Sequence, residues 1–158
     1  MKNMMILSVA IIFTMLSTAV YAGGSDGLKI YSVKGDFAGV RQDTEDAIVN
    51  RGYNIDFDAF IGKMLKRTSG DIGSKKALYK DARFMTFCSA ALTRQAMEAD
   101  PEAIGFCPYT IFVYELDTQP GTVHVGYRKP TMGSSDAAKP VLTKIQKLLD
   151  DIAREATK

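Results

Sequence analysis

The two cysteines, Cys88 and Cys107, have the most distinctive chemistry of any side chains in this sequence. An even pair favours a disulfide if the protein works in an oxidising compartment. A bridge requires Cα atoms within about 7 Å of each other. If a crossover helix joined the Cys88 strand to a parallel strand near Pro108, the two sulfurs would lie at opposite edges of the sheet. Residues 100–106 are long enough to bring the chain back. Three alternatives therefore stay open: a structural disulfide, two separate thiols, or a reactive redox pair.

The only histidine, His124, is the next candidate. On a strand it shares a face with Thr122 and Arg128, opposite an apolar face, so we expect it to face solvent or a groove. His124, Cys88 and Cys107 lack the short ligand spacing of zinc sites, and no Gly-X-Ser-X-Gly turn is present. The sequence therefore predicts no metal and no cofactor, and it favours a non-enzymatic protein.

The periodicity of apolar side chains predicts the elements that must position these residues. Alternation and caps indicate strands at 28–33, 53–60, 82–88, 110–116 and 122–128, and helices at 37–51, 59–67 and 90–99 and from about residue 140. In the second strand, the alternation assigns Asn54, Asp56 and Asp58 to a solvated face. The order βαβαβαββα predicts a single compact α+β domain whose sheet is covered mainly on one face by helices.

Local signals mark the ends of several elements. Asp36 and Ser89 are suited to cap the helices that follow them, and Gln119-Pro120-Gly121 is typical of a type II turn between the last two strands. The last helix has one apolar side, which we expect to pack on its own sheet rather than on a second copy. We divide the chain into a signal (1–22), a flexible mature N-terminus (23–27), a core (28–130), and a linker with an amphipathic helix (131–158).

The N-terminal residues have the pattern of a cleavable secretory signal. Lys2 precedes an uncharged apolar run from Met4 to Val20, and the small residues Val20 and Ala22 suit a cleavage site after Ala22. The run is short for a membrane-spanning helix, which needs about 20 apolar residues. We therefore expect a periplasmic or secreted protein with no stable membrane span once the signal is removed.

The charge balance argues against a nucleic-acid partner. Loss of Lys2 with the signal leaves 19 basic side chains against 18 acidic ones, a formal net charge of +1. A local group of lysines between Lys63 and Lys80 is interrupted by Asp71 and lacks interleaved aromatic side chains. A protein that binds phosphate backbones usually presents a stronger basic field.

Four stretches of the sequence carry a family resemblance: RGYNIDFDAFIGKML at 51–65, FMTFCSAAL at 84–92, MEADPEAIGF at 97–106 and CPYTIFVYE at 107–115. From Lys29 to Pro130 the chain resembles the family called domain of unknown function 302, and it looks like an exported branch of it. Cys88 fits the family's Cys-Asn-Pro turn, although Ser89 follows it here. Cys107 precedes its proline, whereas the family pattern has Pro-Cys.

The resemblance implies a compact α+β fold, a homodimer and no established activity. We interpret the protein as a small periplasmic binding or accessory module whose partner is an unknown small ligand or periplasmic protein. Its candidate groove lies near the two cysteines and comprises Ser89, Pro108, Tyr109, His124, Tyr127 and Arg128. The alternative is a thiol-based redox or sulfur-handling protein in which Cys88, near a positive helix N-terminus, reacts and Cys107 resolves the product. A purely structural or assembly role is the third possibility.

Overall fold

Five strands and four helices follow one another in the order expected from the sequence. A computed structural model describes residues 27–130 and 136–158. The strands are β1 (Leu28–Lys34), β2 (Ile55–Ala59), β3 (Tyr79–Phe87), β4 (Tyr109–Leu116) and β5 (Thr122–Arg128). The helices are α1 (Phe37–Val49), α2 (Ile61–Thr68), α3 (Ala90–Ala99) and α4 (Lys139–Glu155), and a 3₁₀ turn spans Pro101–Phe106. The predicted α+β fold is confirmed.

The strands form one antiparallel sheet in the order β1-β5-β4-β3-β2. Its helix-covered face carries Val113, Val123 and Val125, which are fully buried beneath α1 and α4. We call the opposite side the open face; residues Phe112, Tyr114 and His124 stand on it by the register of β4 and β5. Covering mainly one face with helices agrees with the prediction.

The connection from β3 to β4 differs from the crossover considered in the sequence. The two strands are antiparallel neighbours, with Phe87 opposite Tyr109. Helix α3 and the 3₁₀ turn Pro101–Phe106 therefore return the chain to the same end of the sheet at which β3 stops. As a result, the residue after β3 and the residues before β4 lie at the same end of the sheet.

Local signals fixed the helix starts and the hairpin as expected. The Asp36 carboxylate accepts a hydrogen bond from the Gly39 amide at 3.0 Å, and Ser89 caps α3 in the same way. In the β4–β5 turn, the Thr122 amide donates to the Gln119 carbonyl at 3.2 Å. Gly121 has a φ of +76° there, as the third position of a type II turn requires.

Helix α4 provides much of the core. Its apolar side chains are buried against the sheet and against α1 and α3: Val141, Leu142, Ile145, Leu149 and Ile152. This packing within one chain agrees with the expected use of the helix. The apolar stripe is therefore not available as a surface for a second copy.

The prediction for strand β2 was wrong in its alternation. The register with β3 shifts between Ile55 and Phe57, so one extra residue enters the strand. Phe57 consequently turns outward and is 60% exposed. Asp58 turns to the helix-covered side, where its carboxylate pairs with the guanidinium of Arg83 and lies 3.9 Å from that of Arg41.

Several predictions concern residues that the structure does not describe. The secretory signal at 1–22 lies outside the described residues, as do 23–26 and 131–135. Within residues 27–130 and 136–158, no helix is long and apolar enough to cross a membrane.

Candidate functional site

The end of the sheet where β3 stops and β4 starts brings the two cysteines together. Cys88 follows β3 and Cys107 precedes β4, and the structure joins them in a disulfide with a Cα–Cα distance of 6.4 Å. Ser89, the cap of α3, is buried beside this bond, and Pro108 follows a cis peptide bond. The bridge agrees with two of the alternatives that the sequence left open, a structural disulfide and a redox pair, and disagrees with two separate thiols.

The core side of the disulfide leaves no room for a ligand. The Tyr109 side chain is buried, and its hydroxyl lies 3.0 Å from Thr93 Oγ1. Burial raises the pKa of Tyr109, so the phenol stays protonated and neutral near pH 7. The void beneath Cys107, lined also by Phe106 and Leu142, cannot hold a water molecule. A pocket at this position requires rearrangement.

His124 lies on the open face, away from the disulfide. Its ring stacks on Tyr114 with centroids 4.6 Å apart, and Nδ1 lies 2.8 Å from Ser32 Oγ. The Nε2 atom is buried and has no hydrogen-bond partner among the described residues. Burial lowers the pKa of His124 and favours the neutral ring. Arg128 is exposed on the same face, opposite Leu28 of β1.

Tyr127, the last member of the predicted groove, faces the other way and lines a different cavity. This cavity, which we call the α4 groove, is an open cleft of about 620 Å³ between α4 and strands β1 and β5. The strand side contributes two lysines and two tyrosines: Lys29, Tyr31, Tyr127 and Lys129. The helix side contributes polar residues spaced three or four apart along much of its length: Thr143, Gln146, Lys147, Asp150 and Arg154.

Asp150 organises the floor of the α4 groove. Its Oδ1 atom accepts hydrogen bonds from the hydroxyls of Tyr31 at 2.5 Å and Tyr127 at 3.0 Å, and Oδ2 accepts from Arg154 Nε at 2.7 Å. Burial alone would raise the pKa of Asp150, but these three hydrogen bonds outweigh it and hold the pKa below its usual value. Asp150 is therefore an ionised, fully engaged carboxylate at neutral pH.

The phenols of the α4 groove are held protonated. Burial raises the pKa of Tyr31 and Tyr127, and the adjacent Asp150 carboxylate raises both further. The Tyr31 ring also has two cations over it, the Arg154 guanidinium at 4.9 Å and the Lys29 ammonium at 5.3 Å from its centroid. These contacts hold the Tyr31 ring between two cations that line the cleft.

Positive charge exceeds negative charge along the α4 groove. Four cations line it: Lys29, Lys129, Lys147 and Arg154. Two of them have carboxylate partners one helical turn away, Asp150 for Arg154 and Asp151 for Lys147, each with an N···O distance of 2.7 Å. Lys29 and Lys129 form no ion pair with any residue that the structure describes.

The sequence reasoning did not find this site. It assigned Tyr127 to a groove near the cysteines, and it did not name Lys29, Asp150 or Arg154, because these residues are distant from one another in sequence. A usable signal was present in α4, whose polar face repeats Gln146, Asp150 and Arg154 at intervals of four residues. Such spacing describes one face of a helix, although it does not reveal which strands lie opposite.

Comparison with known proteins assigns the chain to a family. Residues 29–156 match the family described as Domain of unknown function DUF302. The chain belongs to this family. Among solved structures, it is similar to the crystal structure of the uncharacterized conserved protein DUF302 from Bacillus stearothermophilus, with a TM-score of 0.68 and 16% sequence identity over 82% of this chain and 97% of that chain. None of the curated proteins compared matches it.

Membership of DUF302 confirms the resemblance drawn from the four sequence stretches. The likeness to the Bacillus stearothermophilus protein supports the fold alone, since the two sequences share few residues. The DUF302 region includes both the disulfide and every residue of the α4 groove, from Lys29 to Arg154. Both features therefore lie within the part of the chain that matches the family.

Proposed function

We propose that this DUF302 protein is an exported, non-enzymatic module that holds a small molecule in the α4 groove. The observation that carries the proposal is the groove itself, an open cleft of about 620 Å³, within the usual size range of small-ligand sites. Its walls combine tyrosine rings with charged and amide side chains. Convergent polar groups in a concave site are the usual means of fixing a ligand's orientation.

The titratable groups of the groove favour binding over acid–base catalysis. An efficient general acid or base has a pKa near the working pH. Here the pKa of Asp150 is lowered and those of Tyr31 and Tyr127 are raised, so all three are moved away from neutrality. Each phenol hydroxyl also donates a hydrogen bond to Asp150. Such a network suits a rigid floor better than a proton-transfer site.

Export is supported by two independent observations. The leader combines Lys2, an uncharged apolar run and small residues before a cleavage site at Ala22. The Cys88–Cys107 disulfide is a bond that persists in oxidising compartments such as the periplasm. The mature protein would begin at Gly23 and act outside the cytoplasm.

A thermal-shift screen of the mature chain, residues 23–158, tests the proposal. A ligand that binds only the folded state at 100 times its Kd adds about 2.7 kcal/mol of stability. For a domain of this size we expect a rise in Tm of roughly 5–10 °C. NMR chemical-shift changes should then map to Tyr31, Tyr127 and α4. Failure of a broad library to shift the Tm, or shifts that map elsewhere, would contradict the proposal.

A thiol-based redox or sulfur-handling role is the second candidate function. It is favoured by the position of the disulfide, because Cys88 and Cys107 are both only partly buried and Cys88 directly precedes the α3 cap. In such a role, the Cys88 thiolate of the reduced protein would attack a substrate disulfide, releasing one substrate thiolate and forming a mixed disulfide. Cys107 would then attack the Cys88 sulfur and displace the second substrate thiolate, leaving the protein oxidised and the substrate reduced. Alkylation of the reduced protein across pH tests this: a Cys88 thiol that reacts rapidly at pH 6 supports the role, and thiols that react only after unfolding refute it.

A further inference from the structure

We infer that the ligand of the α4 groove is a small dianion, carrying either a phosphate group or two carboxylates. This inference rests on the proposed binding function and adds the chemical class of the ligand. It starts from the charges that converge on the cleft. Four cations and two carboxylates, Asp150 and Asp151, leave an excess of two positive charges there.

The two unpaired lysines are close enough to share one anion. Lys29 of β1 stands opposite Tyr127 of β5. Lys129 follows Tyr127 by two residues, so its side chain is on the same face of the sheet. The Lys129 amide continues the ladder by donating to the Gly27 carbonyl at 2.9 Å. Diagonal neighbours of this kind are roughly 7–8 Å apart, and their Cβ atoms are somewhat closer. Long lysine side chains can therefore converge on one phosphate or carboxylate from this spacing.

Asp150 does not oppose an anion in the way an unpaired carboxylate would. Its oxygens already accept from Tyr31, Tyr127 and Arg154, which spread and offset the negative charge. The bond from Arg154 to Asp150 uses Nε, so this carboxylate does not occupy the two terminal nitrogens of the guanidinium. Asp150 thus acts as a positioning residue that holds Arg154 across the Tyr31 ring. The free edge of a guanidinium is well shaped for a phosphate or carboxylate.

Helix α4 also contributes two neutral polar residues to the cleft. Gln146 is exposed, and Thr143 lies one turn earlier, where its hydroxyl donates to the Lys139 carbonyl and keeps its acceptor capacity. These side chains suit the uncharged part of a ligand, such as a hydroxyl or an ether oxygen. A small molecule with an anionic end and a polar body would therefore match the cleft along its length.

Matched pairs of probes test the charge of the ligand by isothermal titration calorimetry. The dianions are inorganic phosphate, glucose 6-phosphate and succinate. Their neutral counterparts are glucose and succinamide, and choline serves as the cation. We expect at least one dianion to bind at least tenfold more tightly than its neutral counterpart. Its Kd should also rise with added salt, because exposed charges are screened.

Two variants assign the bound anion to the lysines. In Lys29→Gln/Lys129→Gln, the Kd for the best dianion should rise at least tenfold while the Tm stays within a few degrees. Lys144→Gln is the matched control, since Lys144 is an exposed lysine of α4 that does not line the groove. Its Kd should change less than twofold.

The outcomes separate the ligand class from the binding function. Equal affinity of the double variant and the wild type for the dianions would overturn the inference. Binding of glucose, succinamide or choline in the groove, with no dianion binding, would also overturn it but leave the proposed module intact. If no probe of any charge binds and the broad thermal-shift screen is empty as well, both proposals fail together.

Discussion

Reduction of the Cys88–Cys107 bond should destabilise the domain by an amount that follows from its place in the chain. The two cysteines are 19 residues apart in sequence and close the segment containing α3 and the 3₁₀ turn. In the chain-entropy model, a loop of this length gives about 3 kcal/mol of stabilisation, because the bond restricts the unfolded chain. This is a large part of the total stability of a typical domain, about 5–15 kcal/mol.

Urea unfolding of the same purified protein with and without tris(2-carboxyethyl)phosphine measures this effect. At a usual m-value of about 1–3 kcal/mol/M, the midpoint should fall by roughly 1–3 M on reduction. The Tm should fall by roughly 6–12 °C. Comparing two redox states of one protein avoids the packing changes that a substitution of either cysteine would cause.

The control is the Cys88→Ala/Cys107→Ala variant, whose midpoint should not respond to the reductant. Mass spectrometry after alkylation establishes that the bond is intact in one sample and broken in the other. Coincident unfolding curves for those two samples would refute the reasoning. That result would mean that the bond does not restrict the unfolded chain beyond what its residual structure already does.

Two further substitutions test the packing on either face of the sheet. Glu115 is 2% exposed and accepts hydrogen bonds from the Gly121 amide at 2.7 Å and a lysine ammonium at 3.0 Å, and together these outweigh burial and lower its pKa. Its contribution is therefore present above about pH 4.5 and is lost as the pH falls through the folded-state pKa. By urea unfolding, Glu115→Gln should cost about 1–3 kcal/mol at pH 7 and progressively less as the pH falls below 4.5. A cost that stays constant as the pH falls would contradict this. A Cβ on Gly126 would lie 2.6 Å from the Phe112 ring and 2.7 Å from a main-chain oxygen of β1. Gly126→Ala should therefore cost at least about 1–3 kcal/mol in thermal unfolding, whereas an Ala at Gly105, which has nothing within 4 Å, should cost less; equal costs would show that the sheet relaxes.

The parts of the fold that were predictable from sequence have strong local causes. Helix α3 is fixed by Ser89 at its start and by the Asp100-Pro101 pair at its end, and its predicted and observed bounds coincide. The β4–β5 turn is fixed by Pro120 and Gly121, whose backbone preferences match the type II turn. Signals of this kind act within a few residues and require no knowledge of the tertiary structure.

Strand β2 shows where local pattern is insufficient. Its alternation of apolar and acidic residues is regular, yet the extra residue between Ile55 and Phe57 changes which face the later residues occupy. The compensating contact is the ion pair of Asp58 with Arg83, a residue 25 positions away in sequence. The alternation of residues within β2 carries no information about that distant contact. The bulge was therefore not predictable from the sequence of β2 itself.

The candidate site was less predictable than the fold because it is assembled from distant parts of the chain. Tyr31 and Asp150 are separated by 119 positions and meet only through the packing of α4 on the sheet. The sequence analysis concentrated on the cysteines, whose chemistry is visible residue by residue. The α4 groove consists of common side chains, none of which indicates a site by its type. The groove is distinguished by the arrangement of these side chains and by its excess of lysine over carboxylate.

The pairing of β1 with β5 and its contact with α4 also affect the order in which the protein can be built. The earliest described strand acquires its only neighbour when residues 122–128 have been synthesised, and its helical cover after α4 follows. Long-range pairing of this kind forms slowly, because a large loop must first close. A nascent chain with this topology keeps β1 unpaired and uncovered until β5 and α4 have left the ribosome. If the proposed export is correct, such late closure would keep the chain in a form that can be translocated.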